Sequence, residues 1–384
     1  MFDGQGIEMP VALSLPGDPV AVVAAARARL RDMKPGLVLV FSPRRDDVGA
    51  LVAGLAQGFG PRAVVMGCSS AGGFAYGPYD DDACIVIAFP HAHFRAKAVW
   101  LDDLARGSVT TWMQGLRGIE GGRRPRGHGR EFGLLLIDGD ACREELVTAT
   151  CGAVLPDLMV LGGSAAEGRR FGPARLALGG DSRSGAALFC RVSTDFQIEE
   201  IVIDHFTPEG ARLVVTDADP DNRCIMELDA EPAADEYARR IGVARADLGP
   251  GLFAAHPLIE TQGGRHFVRA IRDVTPDGGL ALMSSVETGV ILGIGRAESL
   301  AARMGQRMGM LDPPDLVLGF DCILRRVAVE KAGETARIAG IFARHRIAGF
   351  ATWGEQHSGI HVNQTFVGLA LRMPGRAGGG PDHD

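Results

Sequence analysis

Val38-Leu-Val-Phe41, then Gly67-Cys-Ser-Ser-Ala-Gly-Gly73, then Cys84-Ile-Val-Ile-Ala88 is the stretch on which the fold turns. It reads as an apolar strand, a helix-length interval, a second strand ending in small residues, and a third strand. The script returns as Leu135-Leu-Ile-Asp138, Gly162-Gly-Ser-Ala-Ala-Glu-Gly168 and Ala186-Ala-Leu-Phe189. A fainter third copy runs Val317-Leu-Gly-Phe320, Gly349-Phe-Ala-Thr-Trp-Gly354 and Phe366-Val-Gly-Leu-Ala370. The intervals from Val38 to Gly67, Leu135 to Gly162 and Val317 to Gly349 are 29, 27 and 32 residues. Recurrence at that spacing marks a copied βαβ-type unit. The expectation is an α/β protein of layered sheets and helices, with the small-residue turns facing a shared cleft.

Outward from the copies, Asp18 before Pro19 caps a first helix that runs to Met33. Residues 116–131 carry five arginines without apolar periodicity and read as a solvated linker. After the second copy the period changes to strands at 198–205, 212–216 and 224–228. Pro232 opens a helix over 233–241 that Gly242 stops. Strands resume at 257–260, 266–272, 280–284 and 290–294, and a helix over 297–308 leads into the third copy. A chain of 384 residues exceeds one ordinary core, so two domains are expected, 15–204 and 205–372, with a disordered tail over 373–384.

Hydrophobic content of 46% with 23% charge is that of a soluble globular protein. A formal charge of −7 argues against a general binder of nucleic acid or anionic membrane. The seven cysteines are scattered with no CxxC pair, so neither a disulfide framework nor a zinc ribbon is expected. No signal peptide or membrane span is read, and a cytoplasmic location follows as an expectation.

Several constellations invite sharper readings. Gly67-Cys68-Ser69-Ser70-Ala71 approaches the nucleophile elbow of serine hydrolases, but Ala71 stands where the second glycine belongs. Asp217-Ala-Asp219-Pro-Asp221-Asn222 imitates a calcium loop, yet Asn222 replaces its glycine and Leu228 its glutamate; a polar hairpin turn is expected. His91 and His93 read as an exposed strand end. His361, flanked in sequence by Phe350, Trp353 and Phe366, offers a neutral imidazole that could ligate a metal axially. No CxxCH occurs, so any haem would be held without covalent attachment.

Gly67-Cys-Ser-Ser-Ala-Gly-Gly73 followed by an acidic loop and the strand from Cys84 resembles the N-terminal part of FIST domains. Val214-Val-Thr216, Ile225-Met-Glu-Leu-Asp229, Pro232-Ala-Ala-Asp-Glu-Tyr-Ala238 and Gly242 resemble the start of the C-terminal part. Phe320-Asp-Cys-Ile-Leu-Arg-Arg326, Gly349-Phe-Ala-Thr-Trp-Gly-Glu355 and Asn363-Gln-Thr-Phe366 resemble its end. The resemblance spans about residues 15–372 and implies a non-enzymatic bacterial sensor of small ligands. Its haem-binding, nitric-oxide-sensing subgroup is the nearest, on Cys322-Ile-Leu-Arg-Arg326 and His361-Val-Asn-Gln-Thr-Phe366. That implies haem b, with His361 or else His205 on the iron, and a sensor histidine kinase or cyclic-di-GMP enzyme as partner. On this reading Arg325 and Arg326 pair with the propionates, and Phe350, Trp353 and Phe366 wall the macrocycle. The alternative keeps the fold without haem and senses a metabolite such as an amino acid. Its carboxylate is held by backbone N–H groups around Gly67, Cys68, Ser69, Gly162, Gly163 and Ser164. An enzyme using Cys68 or Ser69 is a third reading, weakened by the lack of a histidine before His91. A homodimer is compatible with the sequence.

Overall fold

Each copy folds as a unit around one parallel strand pair. The first unit runs β1 (Val11–Leu15), α1 (Pro19–Arg29), β2 (Pro35–Ser42), α2 (Val48–Phe59), β3 (Val64–Ser69), β4 (Gly73–Ala75) and β5 (Cys84–Pro90). The second runs β6 (Phe94–Leu101), α3 (Val109–Gly118), β7 (Arg130–Asp138), α4 (Glu144–Val154), β8 (Met159–Ala165), β9 (Leu176–Leu178), β10 (Asp181–Arg183) and β11 (Ala187–Thr194). The third opens with β12 (Gln197–Ile203) and is interrupted by an insertion. The insertion holds β13 (Phe206–Asp219), β14 (Cys224–Leu228), β15 (Glu231–Pro232), α5 (Ala233–Ile241), α6 (Pro250–Ala255), β16 (Leu258–Gln262), β17 (Arg265–Arg269), β18 (Ile271–Val274), β19 (Leu280–Leu282) and β20 (Ile291–Ala297). The third unit then resumes with α7 (Leu300–Gly309), β21 (Leu316–Cys322), α8 (Ile323–Lys331), α9 (Thr335–Arg344), β22 (Ile347–Thr352), β23 (Glu355–His357), β24 (Ile360–Val362) and β25 (Phe366–Arg372). This computed structural model describes residues 8–119, 129–168, 172–262 and 265–374. Most of the arginine-rich stretch and the tail from 375 lie outside the described residues.

The three sheets share one strand order. They read β1-β5-β2-β3-β9, β6-β11-β7-β8-β23 and β12-β25-β21-β22-β4, with β10 and β24 extending the first two. The last strand of each is borrowed. The first unit lends β4 to the third, the second lends β9 to the first, and the third lends β23 to the second. The exchange closes a ring. The division near residue 205 falls just after β12, which pairs along its length with β25.

Alternation along the strands fixes which way each sheet faces. Leu37, Leu39 and Phe41 of β2, Phe132, Leu134 and Leu136 of β7, and Leu316, Leu318 and Phe320 of β21 enter one common core. Their neighbours Val38 and Val40, Leu135 and Ile137, and Val317 face outward beneath the unit's own helices. At the same register point in each parallel pair stands a glycine: Gly67 opposite Val40, Gly162 opposite Leu135, Gly349 opposite Gly319. A Cβ there would lie 2.0, 1.8 and 1.7 Å from the partner residue's carbonyl oxygen. These positions therefore exclude any side chain, and close strand approach is why the copies keep glycine.

The local signals also hold. Asp18 accepts a hydrogen bond from the Ala21 N–H at the start of α1, and α5 ends at Gly242 in the left-handed region. Asp219 accepts from both the backbone and side-chain N–H of Asn222, closing the polar turn between β13 and β14. The insertion has a core of its own around Leu213, Tyr237, Phe253 and Leu292. Its neck is narrow: Phe206 pairs with Ala297, and the Glu298 N–H donates to the His205 carbonyl.

Candidate functional site

The turns after β3, β8 and β22 meet and satisfy one another. Ala71 N–H donates to Ala351 O, Ala351 N–H to Gly72 O, and Trp353 N–H to Ser164 O. Ser164 N–H donates to Gly354 O, Ala166 N–H to Ser69 O, and Gly168 N–H to Ser70 O. One alanine from each turn, Ala71, Ala166 and Ala351, packs into a buried cluster with Ile323. This corrects the expectation of an anion cradle: the N–H groups of Ser69 and Ser164 are committed to Arg175 O and Gly354 O. Gly67 and Gly162 lie inside strands, and Gly163 abuts the Thr352 side chain. Small residues occupy these turns because three backbones converge there.

The enzyme reading meets the same obstacle. Cys68 lies in the common core, where burial first and then Asp138 push its thiol well above the ordinary range. Ser69 is fully buried, and its Oγ accepts from the Arg175 N–H at 3.0 Å.

Beside the convergent turns lies a buried polar web. Glu355 accepts from the Thr352 hydroxyl and from Thr365 Oγ1 at 2.8 Å. Gln356 donates to Ser164 Oγ at 2.9 Å and lies 3.2 Å from His361 Nδ1. Nε2 of His361, Oε1 of Gln356 and Oδ1 of Asn363 are buried with no hydrogen-bond partner among the described residues. Burial lowers the pKa of His361, opposed by Glu144 and Glu145, and lowers that of His205, aided by Arg325. Burial pushes the Glu355 carboxyl up to about 8, against the hydrogen bonds from Thr352 and Thr365.

From about pH 7 to pH 8 folded His361 and His205 are neutral. An unfolded histidine, with an ordinary pKa of about 6.5, has already lost most of its proton, so they oppose the trend set by Glu355 only weakly. Folded Glu355 still holds its proton over most of that interval, and the unfolded carboxyl has lost it, so stability falls as pH rises. The expected loss is about 1 kcal/mol, flattening above the folded pKa. Urea unfolding at the two pH values measures it, and Glu355→Gln should remove the slope. A variant with the wild-type slope would assign the effect elsewhere.

The residues gathered for haem are not gathered by the fold. Phe350 faces the common core, stacked on Phe41 at 4.3 Å, whereas Phe366 packs under the helices with Phe342. They lie on opposite faces of one sheet and cannot wall one macrocycle. Arg325 is fully buried and paired with Asp321 at 2.7 Å. Arg326 is held by Asp81 at 2.6 Å, by the Ala71 carbonyl and by Glu330. His205 is buried against Phe206, ring centroids 3.8 Å apart, at the neck of the insertion. The free nitrogen of His361 fits an axial ligand in kind, but a Cβ on Gly354 would come within 2.8 Å of it. That edge of the ring is packed against backbone. Haem does not fit this set of residues. Among the described residues, no group of three or more His, Cys, Asp and Glu is placed to hold a metal ion.

One predicted residue does reach a cleft. Trp353 stands over the second turn, and with Asp140, Cys142, Glu144, Arg223 and Arg272 it lines a cavity of about 260 Å³. The cavity opens at the C-terminal ends of β7 and β8, where α/β sheets place ligands, and the insertion forms its other wall. Arg223 joins the walls: its Nη2 lies 2.6 Å from Glu144 and 2.7 Å from Glu145. Glu145 also accepts from the Ser285 N–H at 2.8 Å. Burial opposes the charge of Arg223, but the two carboxylates outweigh it and hold the guanidinium protonated. Arg272 is exposed on the lip and has no ion-pair partner among the described residues. Sequence reasoning missed both arginines. The only local signal was Arg223, a non-glycine residue at φ +52° directly after a turn that was read as inert.

The family model for the FIST N domain matches residues 36–231, and that for the FIST C domain matches 233–358. Their seam falls inside the insertion, between β15 and α5. No curated protein matches the chain.

Proposed function

Since the chain belongs to the FIST family, we propose that it senses a small carboxylate-bearing metabolite of amino-acid size, bound in the cleft between the second unit and the insertion. The carrying observation is Arg272, a guanidinium with no ion-pair partner among the described residues, which lines the cavity of about 260 Å³ together with Arg223, Asp140 and Trp353. That volume lies just below the usual range of ligand pockets, about 300–1,000 Å³, and suits a small ligand. A guanidinium pairs with a carboxylate in two parallel hydrogen bonds, and Asp140 supplies the opposite charge for an ammonium group. No helix among the described residues is long and apolar enough to cross a membrane.

Sensing requires that the ligand favour one of two arrangements. A ligand that engages Arg272 and Asp140 bridges the insertion to the second unit, across the same gap that Arg223 spans. A coupling of about 1–3 kcal/mol to a signalling partner is typical and acts in both directions. The resemblance implies that this partner is a histidine kinase or a cyclic-di-GMP enzyme.

A thermal-shift screen of amino acids and small carboxylates tests the reading. A ligand at a hundredfold excess over its Kd adds about 2.7 kcal/mol, enough for a clear shift. Arg272→Ala should leave the free protein's Tm unchanged and weaken the hit at least tenfold, since hydrogen bonds to charged groups contribute about 1.5–3 kcal/mol. A screen without an Arg272-dependent hit would sink it. Haem serves as the contrast, because His361 Nε2, His205 Nδ1 and the two Nη atoms of Arg325 are buried with no hydrogen-bond partner among the described residues. Added ferric haem, then reduced, should give the sum of protein and free-haem spectra. A sharp Soret band that His361→Ala abolishes would overturn the metabolite reading.

A further inference from the structure

A larger groove lies at the other end of the strands, where α1 and α2 finish and β2 and β3 begin. Its volume is about 660 Å³, and Arg27, Arg31, Lys34 and Arg62 line it with no carboxylate among the lining residues. The floor is apolar, formed by Leu30, Met33 and Phe59. Arg27, Lys34 and Arg62 have no ion-pair partner among the described residues, and Arg31 has only exposed Asp32 at 3.3 Å. The Arg27 guanidinium lies over Gly58, where a Cβ would come within 2.6 Å of its Nε.

Basic residues at a helix C-terminus complement the helix dipole, and the last turns of α3, α7 and α9 also carry Arg117, Arg307 and Arg344. The second unit has the corresponding groove, where α4 ends and β8 begins. Its described lining carries Glu131 and Asp157, with one arginine, Arg191, that pairs with Glu131 at 2.8 Å. Among the described residues, the groove at α4 thus lacks the unpaired cations that line the groove at α1 and α2. Four cations gathered on a chain of net charge −7 mark a site for a strong anion.

We propose that this groove binds a nucleotide-sized metabolite carrying a diphosphate, with the phosphates on Arg31, Lys34 and Arg62 and the apolar moiety on Phe59 and Met33. Guanidinium and ammonium groups are the usual phosphate partners, and the volume is that of a small-molecule pocket rather than of a duplex track. The site is independent of the carboxylate cleft.

Isothermal titration of the full chain with ADP, at about 0.15 M salt where exposed charges are screened beyond about 8 Å, tests it. Saturable binding is expected, weakened at least tenfold by Lys34→Ala with Arg62→Ala and unaffected by Arg212→Ala on the insertion. Adenosine should not bind. Arg31→Ala, an exposed single change, should weaken ADP in the same direction and decides the matter if the double variant fails to fold. No saturable ADP binding, equal loss with Arg212→Ala, adenosine binding as well as ADP, or polyglutamate displacing ADP stoichiometrically would each overturn the proposal.

Discussion

Gly349→Ala is expected to abolish folding at 37 °C. The added Cβ would lie 1.7 Å from the Gly319 carbonyl oxygen, and that atom belongs to the backbone of a central parallel pair. Relief requires β21 and β22 to part, which breaks the ladder from Val317 opposite Ile347 to Cys322 opposite Thr352. It would also shift Phe350 off Phe41 in the common core. Disruption on that scale belongs to the tail above about 4 kcal/mol, a large share of the 5–15 kcal/mol that holds a typical domain folded. Gly67→Ala and Gly162→Ala should behave alike, for the same collision. Gly118→Ala at the end of α3 meets nothing within 4 Å and should leave the urea midpoint unchanged or slightly raised. A Gly349→Ala protein with a near-native midpoint would disprove the steric account.

A fragment of residues 8–204 is expected not to fold, although it contains two whole copies. It would leave β4 without β22, the edge of β8 without β23, and β12 without β25. The common core would lose Leu318, Phe320, Phe350 and Leu369. Dye-binding, non-cooperative material is the expected product. Excision of 207–296 is the opposite case, because Phe206 and Ala297 already face each other across a ladder. A two-residue Asn-Gly turn between them suits an antiparallel pair. The excised protein should keep a cooperative transition at a lower Tm, since Phe206 and Leu324 lose Ile259 and Val268, and should lose the carboxylate site entirely. Cooperative melting of 8–204 would contradict the ring of exchanged strands.

The repeat was legible because it is written in local terms: apolar runs, a small-residue turn and constant spacing fall in one window each time. The helix over 233–241 and the turn at Asp219 and Asn222 were legible for the same reason. What the turns do was not. Their N–H groups look free in sequence, yet many of their partners lie in other copies, as Ala71 with Ala351 and Ser164 with Gly354. The haem set failed similarly: Phe350 and Phe366 lie 16 residues apart on two strands of one sheet, and strand alternation sends them to opposite faces. The cavity beneath Trp353 could not be read at all, since Arg223 and Arg272 share a lining with Asp140 only when the insertion folds back on the second unit.

The ring of lent strands has a consequence for origin. Only three residues separate β5 from β6 and two separate β11 from β12, so each unit ends where the next begins. A single unit, lacking one strand and offering another, is self-complementary head to tail, and such heterologous contacts close into rings. The chain has the form of a cyclic homotrimer whose subunits were joined end to end. Its three units differ now, one carrying the insertion and another a groove lined by four cations.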